Sequence, residues 1–443
     1  MTLDELKTVA RDGGVVGAGG AGFPSYAKMT HKCDIIIMNC VECEPLLKLH
    51  KQLLTAHADT VVATLDELRE TFGATEAIIG LKNDQTHTIN VLDRITKDYP
   101  HVRVCPVTPS YPMGDEVILI YEATGRVIKP AGIPIDEGVV VYNVETVFNL
   151  HRAFHRKHPV TDKIVSVVGE IDHPASVRLP IGITVADAIK AVGKITCEDP
   201  AYIMGGPMMG RLGSDDTVIT KTTNAIIILP SKHQVVARMH PSMQVERRRA
   251  ASSCCQCRTC TDLCPRHALG HPIEPHRIMR AIADHDATDL EIFINSAYCS
   301  SCGLCEKYSC PQSLSPRTVI AEFKGGLRAA GIKAERIENP DPVVIDRELR
   351  KAPVKRLKQR LDLAKYDVPA PLHDICWETD RVKIPMSQHI GAPAKPVVKV
   401  GDIVKTCDLI GAAAEGLSVN IHASIDGKVT EVTDKYVCIE KIK

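Results

Sequence analysis

The sequence predicts a multidomain α/β protein that carries a helical, cysteine-rich unit and ends in an all-β module. Three observations predict this architecture. Apolar strand-like runs alternate with helical stretches up to His158. Eight of the 17 cysteines fall into two tight groups between Cys254 and Cys310. From residue 385 onwards, apolar and polar positions alternate between glycine-centred turns. The chain of 443 residues is long enough for about three domains.

Residues 1–158 are predicted to form a layered α/β domain. Its first helix, in "TLDELKTVARD", begins with a capping box of Thr2 and Glu5. Strands and helices then alternate, as in a domain with helices packed on a sheet. The predicted strands are Ile35 to Met38, Ala77 to Leu81 and Val139 to Tyr142, and the predicted helices are Leu46 to Glu70, Thr86 to Lys97, Glu116 to Thr124 and Val144 to Arg156.

The rest of the chain is predicted to contain four further regions. Residues 159–235 are a small β-rich module, in which "KIVSVVGEI" and "ASVRLP" form a hairpin and "TVADAIKAVG" a helix. Residues 240–335 hold both cysteine groups among helical segments. Residues 336–384, interrupted by prolines and a basic run, are interpreted as a connector, and residues 385–443 as a compact all-β module.

Composition excludes several classes of function. Lys plus Arg equals Asp plus Glu at 54 each, and aromatic residues make up 4% of the chain, so no charge excess or stacking platform points to nucleic acid. The longest apolar runs, such as Ala225 to Leu229, are far shorter than the ~18 residues of a membrane-spanning helix, and the N-terminus lacks the apolar core of a signal peptide. The sequence therefore predicts a cytoplasmic protein, either free, within a microcompartment or peripheral to a membrane complex.

The two cysteine groups have the spacing of iron–sulfur ligands. The first is Cys254-x2-Cys257-x2-Cys260-x3-Cys264-Pro, and the second is Cys299-x2-Cys302-x2-Cys305-x4-Cys310-Pro. In two-cluster ferredoxins the fourth cysteine of each run ligates the other cluster. We therefore predict one [4Fe-4S] cluster on Cys254, Cys257, Cys260 and Cys310, and another on Cys299, Cys302, Cys305 and Cys264. Zinc is the alternative, although zinc sites use paired CxxC knuckles.

Three weaker signals are interpreted as structural. Cys40-x2-Cys43 follows a strand without a second pair. His151, His155 and His158 are interleaved with Arg and Lys, whose charge repels a metal. The basic run 347–360 is either a dock for an acidic electron carrier or, as we prefer, a solvated helix face.

The segment "VVGAGGAGFPSYAK" suggests a phosphate-binding loop. Gly17-x-Gly19-x-x-Gly22 matches the dinucleotide fingerprint, but a helix precedes it where a Rossmann turn requires a strand. Closely spaced glycines still allow backbone N–H groups to approach a phosphate, and Lys28 can neutralise its charge. A flexible loop is the alternative.

Four segments together resemble the RnfC/PduS family, whose flavin domain is shared with a subunit of respiratory complex I. They are "GAGGAGFPSYAK", "NCVECEP" (39–45), "YPMGDE" (111–116) and "YNVETVFN" (142–149). The resemblance implies a Rossmann-like FMN/NADH-binding domain. The implied flavin contacts are Gly17, Gly19, Gly20, Lys28, Asn39, Glu42, Gly114, Asp115, Asn143 and Thr146, and the implied NADH contacts are Phe23, Glu44 and Glu116. Val41 and Asp115 differ from the acidic residues at these positions in the complex I subunit.

The same resemblance extends along nearly the whole chain. It implies a β-grasp SLBB domain at 159–235, a ferredoxin-like dicluster domain at 240–335, and a barrel-sandwich hybrid domain at 385–443. RnfC carries its barrel-sandwich domain at the N-terminus, whereas the C-terminal position found here is similar to that in PduS.

The implied activity is that of an NADH:acceptor oxidoreductase. A hydride carries two electrons whereas each cubane accepts one, so FMN would convert between them before two [4Fe-4S] clusters pass electrons outward. The expected partners are NAD(H) and either a protein electron acceptor or a corrinoid, with the chain as a subunit of a hetero-oligomeric complex. Three alternatives stay open: a PduS-type corrinoid reductase, an RnfC-like subunit of a soluble reductase (for example methylenetetrahydrofolate reductase) or of a membrane complex, and a non-catalytic iron–sulfur scaffold.

Overall fold

The computed structural model describes residues 1–239, 241–284 and 288–442. In its N-terminal part, helices pack on a four-stranded parallel sheet, as the alternating pattern predicts. The α-helices are α1 (Leu3–Asp12), α2 (Leu49–Ala56), α3 (Ala58–Phe72), α4 (Thr86–Ile95), α5 (Glu116–Thr124) and α6 (Val144–Arg156). The strands are β1 (Ile35–Asn39), β2 (Glu76–Lys82), β3 (Val102–Val107), β4 (Ser110–Tyr111) and β5 (Val139–Asn143). Short 3-10 helices cover Ser25–Lys28, Thr96–Asp98 and Pro134–Glu137.

The order of strands in this sheet places two predicted flavin residues side by side. The order is β3-β2-β1-β5, and all three pairings are parallel. Asn39, the last residue of β1, is the register partner of Asn143, the last residue of β5. Ligands of open α/β sheets bind at the carboxyl ends of the strands. The sheet therefore directs these two asparagines to the edge where a ligand is expected.

The predicted helix from Leu46 to Glu70 is wrong in one respect, because it is divided into α2 and α3. The division lies at His57, whose backbone is not helical (φ −125°, ψ 29°). The His57 Nε2 atom lies 2.5 Å from Asp374 Oδ2, far along the chain. The contact between His57 and Asp374 thus accompanies the break in the helix, which the periodicity of apolar residues does not reveal. Strand β3 was also not predicted.

The second region contains a six-stranded mixed sheet with the order β12-β7-β6-β10-β8-β9. The predicted hairpin is confirmed, since β6 and β7 pair antiparallel from Asp162 to Val167. The elements are β6 (Asp162–Gly169), β7 (Ala175–Pro180), α7 (Val185–Lys190), β8 (Pro200–Met204), β9 (Arg211–Gly213) and β10 (Ala225–Pro230).

The cysteine-bearing region is helical, as predicted. Its helices are α8 (Gln234–Ala237), α9 (Met243–Ser253), α10 (Thr259–Asp262), α11 (Pro275–Asp284), α12 (Leu290–Ile294) and α13 (Pro316–Ala329). Short 3-10 helices cover His267–Leu269 and Asn295–Tyr298, and a π-helical turn covers Cys305–Ser309. Ile278, Met279, Val319 and Ile320 form its small core.

The tract predicted to be a connector contributes strands to neighbouring sheets. Strand β11 (Ala352–Pro353) pairs with β4, and β12 (Leu372–Cys376) extends the second region's sheet by pairing with β7. The tract also contains α14 (Val354–Arg360) and 3-10 helices at Arg347–Arg350 and Ala364–Tyr366. In its basic run, Arg347 and Lys351 pair with Glu122 of α5, and Lys358 pairs with Asp367.

The C-terminal part is all-β, as predicted, and consists of two small sheets. Its strands are β13 (Arg381–Pro385), β14 (Lys395–Pro396), β15 (Ile403–Val404), β16 (Leu409–Ala412), β17 (Ile421–His422), β18 (Gly427–Val432) and β19 (Tyr436–Glu440). In the part of the chain that the structure describes, every helix is too short or too polar to span a bilayer.

Candidate redox site

The glycine segment forms a closed loop that is fixed to α6. The backbone N–H of Gly17 donates to Phe23 O (2.8 Å), and that of Gly22 donates to Gly17 O (3.2 Å). The N–H of Ala18 donates to the Oγ1 atom of Thr146, a fully buried residue on α6 (2.9 Å). The loop is therefore held in one shape by its own backbone and by a predicted flavin residue.

At two of the loop glycines, a Cβ atom would not clash with the rest of the protein. A Cβ atom at Gly17 would lie 3.5 Å from its nearest neighbour, an ordinary contact, and one at Gly20 would meet no heavy atom within 4 Å. At Gly22, by contrast, a Cβ atom would approach Thr222 Cγ2 to 2.9 Å. Packing therefore explains the glycine at 22, and the backbone angle at Gly20 (φ +132°) favours glycine there, whereas neither requires a glycine at 17. This arrangement fits a ligand phosphate that approaches the loop.

Asn39 and Gly114 connect two of the predicted flavin segments. The Asn39 amide donates to Gly114 O (2.9 Å) and its Oδ1 atom accepts from the Val41 N–H (2.9 Å). A Cβ atom at Gly114 would lie 2.3 Å from Val41 O, so only glycine allows these backbones to approach so closely. "NCVECEP" and "YPMGDE" therefore form one wall of the site.

Asn143 and Asp115 are N-caps of the helices that begin at this edge. Asn143 Oδ1 accepts from the Glu145 N–H, and Asp115 Oδ1 accepts from the Val117 N–H, each at 2.9 Å. The positive ends of two helix dipoles therefore point towards the carboxyl edge of the sheet, which favours an anionic ligand.

Lys28, Glu116 and Phe23 lie together beside the loop. The Lys28 Nζ atom is 3.4 Å from Glu116 Oε2 and 3.3 Å from Val141 O, and it lies 5.9 Å from the centroid of the Phe23 ring. All three side chains are only partly buried. They are accessible to a ligand as the resemblance implies.

A buried network of charged residues lies behind this edge, and sequence reasoning identified only one of its members. The His50 ring lies between Glu42 Oε1 and Glu145 Oε2, at 3.7 Å from each. Lys163 on β6 pairs with Glu145, and both are almost fully buried. Burial raises the pKa of Glu145, but Lys163 and His50 outweigh it and bring that pKa to about 2. The Oε2 atom of Glu42 is buried without a hydrogen-bond partner among the described residues, as expected of a group that awaits a ligand.

Glu44 contacts a loop of the second region. Its carboxylate accepts the backbone N–H groups of Met208 (2.9 Å) and Met209 (3.0 Å). Burial raises its pKa to about 7, although those N–H groups and Lys307 oppose the shift. Its carboxylate thus already holds the loop Met204–Gly210, whose "MGGPMMG" sequence did not reveal this contact.

The two cysteine groups surround two separate cavities, with the fourth thiols exchanged as the ferredoxin pattern predicts. We call the cavity lined by Cys264, Cys299, Cys302 and Cys305 the inner cluster site. We call the cavity lined by Cys254, Cys257, Cys260 and Cys310 the outer cluster site. Among the described residues, no three or more His, Cys, Asp or Glu side chains lie close enough together to hold one single metal ion. Four thiols around each cavity fit a cubane cluster.

Burial raises the pKa of thiols at both sites, with one exception at the outer site. At the inner site, burial raises the pKa of Cys264 to about 12 and that of Cys302 to about 11. These thiols require a bound cation to become thiolates. At the outer site, burial likewise raises the pKa of Cys260 to about 12. Cys257 is the exception, because the Thr259 hydroxyl donates to its Sγ atom (3.3 Å) and lowers the pKa of that thiol.

The inner cluster site is packed against the first two regions of the chain. The Nη2 atom of Arg266, two residues after Cys264, donates to both carboxylate oxygens of Asp115, at 2.8 and 2.9 Å. The Tyr111 hydroxyl donates to Cys302 O (2.6 Å), and Arg317, which lines the cavity, donates to Met208 O (2.9 Å). The predicted flavin wall and the inner site therefore share direct contacts.

The weaker sequence signals have ordinary structural partners. Burial raises the pKa of Cys43 to about 12 and also raises that of Cys40 well above its ordinary value, as expected of inert thiols. His151 contacts Thr64, His155 pairs with Glu67, and His158 contacts Arg152. The rings of His151 and His155 also contact each other, with centroids 4.8 Å apart, and each of the three histidines has a further partner within the protein.

Family models match four parts of the chain. They describe the Nuo51 FMN-binding domain (residues 10–152), the SLBB domain (164–212), a 4Fe-4S dicluster domain (253–315) and the RnfC barrel sandwich hybrid domain (371–441). The fold and the site thus define a flavin and iron–sulfur oxidoreductase of the electron-transfer class, and its cofactors are FMN and two [4Fe-4S] clusters.

Similar curated proteins place the chain within one family of that class. It is 37% identical to the cobalamin reductase PduS of Citrobacter freundii over 443 residues, covering 99% of this chain and 97% of that protein. It is likewise 37% identical over 441 residues to PduS of Salmonella typhimurium (strain LT2), with the same coverage. One subunit of the Na+-translocating ferredoxin:NAD+ oxidoreductase complex of Acetobacterium woodii is 29% identical over 273 residues, covering 60% of this chain and 59% of that one. The chain belongs to the PduS family.

Proposed function

We propose that this protein is an NADH-dependent reductase that delivers single electrons to a corrinoid. The observation that supports it is the direct contact between the predicted flavin wall and the inner cluster site, through Asp115–Arg266 and Tyr111–Cys302. The corrinoid comes from the family, since the relatives that match along their whole length are cobalamin reductases. When bound, FMN supplies the exchange between a hydride and single electrons.

The residues of the chain hold the cofactors in this proposal. The glycine loop and the N-termini of α5 and α6 bind the flavin phosphate, and Lys28 neutralises part of its charge. Phe23 and Glu116 remain available for the dinucleotide beside the loop. Glu44 and Asp115 act as positioning residues, because their carboxylates already hold the loop Met204–Gly210 and Arg266.

The match to a subunit of a ferredoxin:NAD+ oxidoreductase complex supports a second candidate, in which the final acceptor lies in a partner protein. That match spans 273 residues, whereas the match to PduS spans the chain. The corrinoid is therefore the first acceptor to test.

A substitution at Gly17 tests the flavin site directly. In the protein alone, an alanine Cβ at this position makes only ordinary contacts, so Gly17→Ala should fold normally. If the loop binds the flavin phosphate, the added methyl group should weaken FMN binding by roughly tenfold or more, measured by quenching of FMN fluorescence. Gly325→Ala, at a position in α13 with no neighbour within 4 Å, is the matched control.

The electron path is tested with protein purified under nitrogen. It should contain one FMN and about eight iron atoms per chain. NADH should bleach the flavin and reduce hydroxocobalamin. A protein that holds FMN and iron but is not bleached by NADH would contradict the proposed donor, and one that is bleached yet leaves the corrinoid unreduced would contradict the proposed acceptor.

A further inference from the structure

The two cluster sites differ in their exposure to solvent. Four of the seven residues from Cys254 to Cys260 are exposed, including Cys257, a predicted ligand. None of the seven residues from Cys299 to Cys305 is exposed. The rate of electron transfer falls steeply with the distance between donor and acceptor. Electrons can therefore leave the protein most readily at the outer site, which an external acceptor can approach.

The exposed surface beside the outer site is basic. Helix α9 ends directly at Cys254 and carries Arg247 and Arg248, which are both exposed. Along an α-helix these arginines lie about 10 Å from Cys254. Among the described residues, neither arginine forms an ion pair. Arg258, inside the cysteine loop, is also exposed.

The segment that carries these arginines has no exposed acidic side chain that could neutralise them. Between Met243 and Thr259 the only carboxylate is Glu246, which is 3% exposed and occupied by Arg249 and the Ser315 N–H. The Asp262 carboxylate lies 3.4 Å from Arg258 and 3.8 Å from Arg350. Of the three exposed arginines beside the outer site, it therefore partly neutralises the charge of Arg258 only. Arg247 and Arg248 therefore keep their charge available to a partner.

We propose that the face formed by α9 and the loop Cys254–Cys260 binds a protein that carries the electron acceptor and presents acidic side chains to it. This inference rests on the proposed function and specifies its outlet. Opposite charge on two surfaces raises the rate of encounter and orients the partners. The exposed outer site offers electrons an exit, and the unpaired Arg247 and Arg248 on α9 beside it would orient an acidic partner there. In the basic run 347–360, the other possible dock for an acidic carrier, Arg347, Arg350, Lys351 and Lys358 form ion pairs with carboxylates of the protein itself.

The experiment measures electron delivery to carriers of opposite charge by the complete protein with its cofactors. The probes are a flavodoxin, as an acidic carrier, and a mitochondrial cytochrome c, as a basic one. The docking variant is Arg247→Glu/Arg248→Glu. The matched control, Arg94→Glu/Lys97→Glu, makes the same change of charge at the exposed end of α4 and in the turn that follows it, in the first region. Iron content and the visible spectrum establish that each variant keeps its clusters.

For the wild-type protein, the second-order rate constant with flavodoxin should fall roughly tenfold as ionic strength rises, whereas that with cytochrome c should rise. The docking variant should reverse both salt dependences and reduce flavodoxin about tenfold more slowly at low salt. The control variant should behave as the wild type. A docking variant that reduces flavodoxin at the wild-type rate at every ionic strength would overturn the proposal.

Two further measurements separate this proposal from its premise. Free hydroxocobalamin should be reduced equally by wild type and docking variant, and an equal loss with the free corrinoid would overturn the docking role, because the arginines would then act on the electron path itself. If NADH does not bleach the flavin, the proposed donor is wrong. The docking face is then still tested by charging the clusters with dithionite, removing the excess, and adding the two carriers.

Discussion

The inner and outer cluster sites share one ligand pattern but occupy different surroundings. The inner site is enclosed by three regions of the chain, through Asp115, Tyr111 and the loop Met204–Gly210. The outer site opens to solvent at Cys257 and is bordered by unpaired arginines. The similar spacing of the two cysteine groups therefore indicates where clusters bind, whereas the neighbours of each site suggest the order in which electrons pass through them.

The largest expected effect comes from removing one cluster at a time. Cys264→Ser should empty the inner site, although this cysteine belongs to the first group in sequence. About half of the iron should remain, and NADH should no longer reduce the outer cluster, because its electrons have lost their entry. Dithionite should still reduce that cluster, as followed by EPR.

The converse variant, Cys310→Ser, should empty the outer site instead. NADH should then still reduce the remaining cluster, while transfer to a protein acceptor falls to background. If NADH reduces the outer cluster normally in Cys264→Ser, the assigned order of the two sites is wrong.

A smaller effect separates the arginines that follow the cysteines. Arg266 and Asp115, at the inner site, have side-chain exposures of 16% and 13%, and removing Arg266 would leave a buried, unpaired carboxylate. Arg266→Met should therefore lower the free energy of unfolding by about 3–5 kcal/mol. Arg258, at the outer site, is 52% exposed and 3.4 Å from Asp262. Arg258→Met should cost about 0–1 kcal/mol. Chemical denaturation of both variants tests the contrast, and equal costs would refute it.

The smallest effect concerns Glu44, which has no counterpart at the outer site. Burial raises its pKa to about 7, so the folded protein favours the neutral form. Ionisation then costs stability as the pH rises from the ordinary pKa of 4.5 towards 7. Between pH 5.5 and 8, the wild type should lose roughly 2–4 °C of melting temperature relative to Glu44→Gln. Parallel melting curves across this range would show that Glu44 does not titrate there.

Several features could be predicted because they depend on local sequence. The capping box of Thr2 and Glu5, the hairpin of β6 and β7 and the helices that carry the cysteines follow from patterns within a few residues. The division of the helix at His57 and the strands within 336–384 could not be predicted in this way. They depend on partners such as Asp374 and β7, which lie far along the chain.

By itself, the sequence determined the multidomain α/β class, the glycine loop and the two sets of thiols, because strand and helix periodicity and the spacing of metal ligands are local properties. Only the tertiary structure decided which thiol set adjoins the predicted flavin wall and which faces solvent. That choice depends on contacts such as Asp115 with Arg266, which are 151 residues apart. No periodic pattern encodes a pairing across such a distance, because it arises from the packing of whole domains.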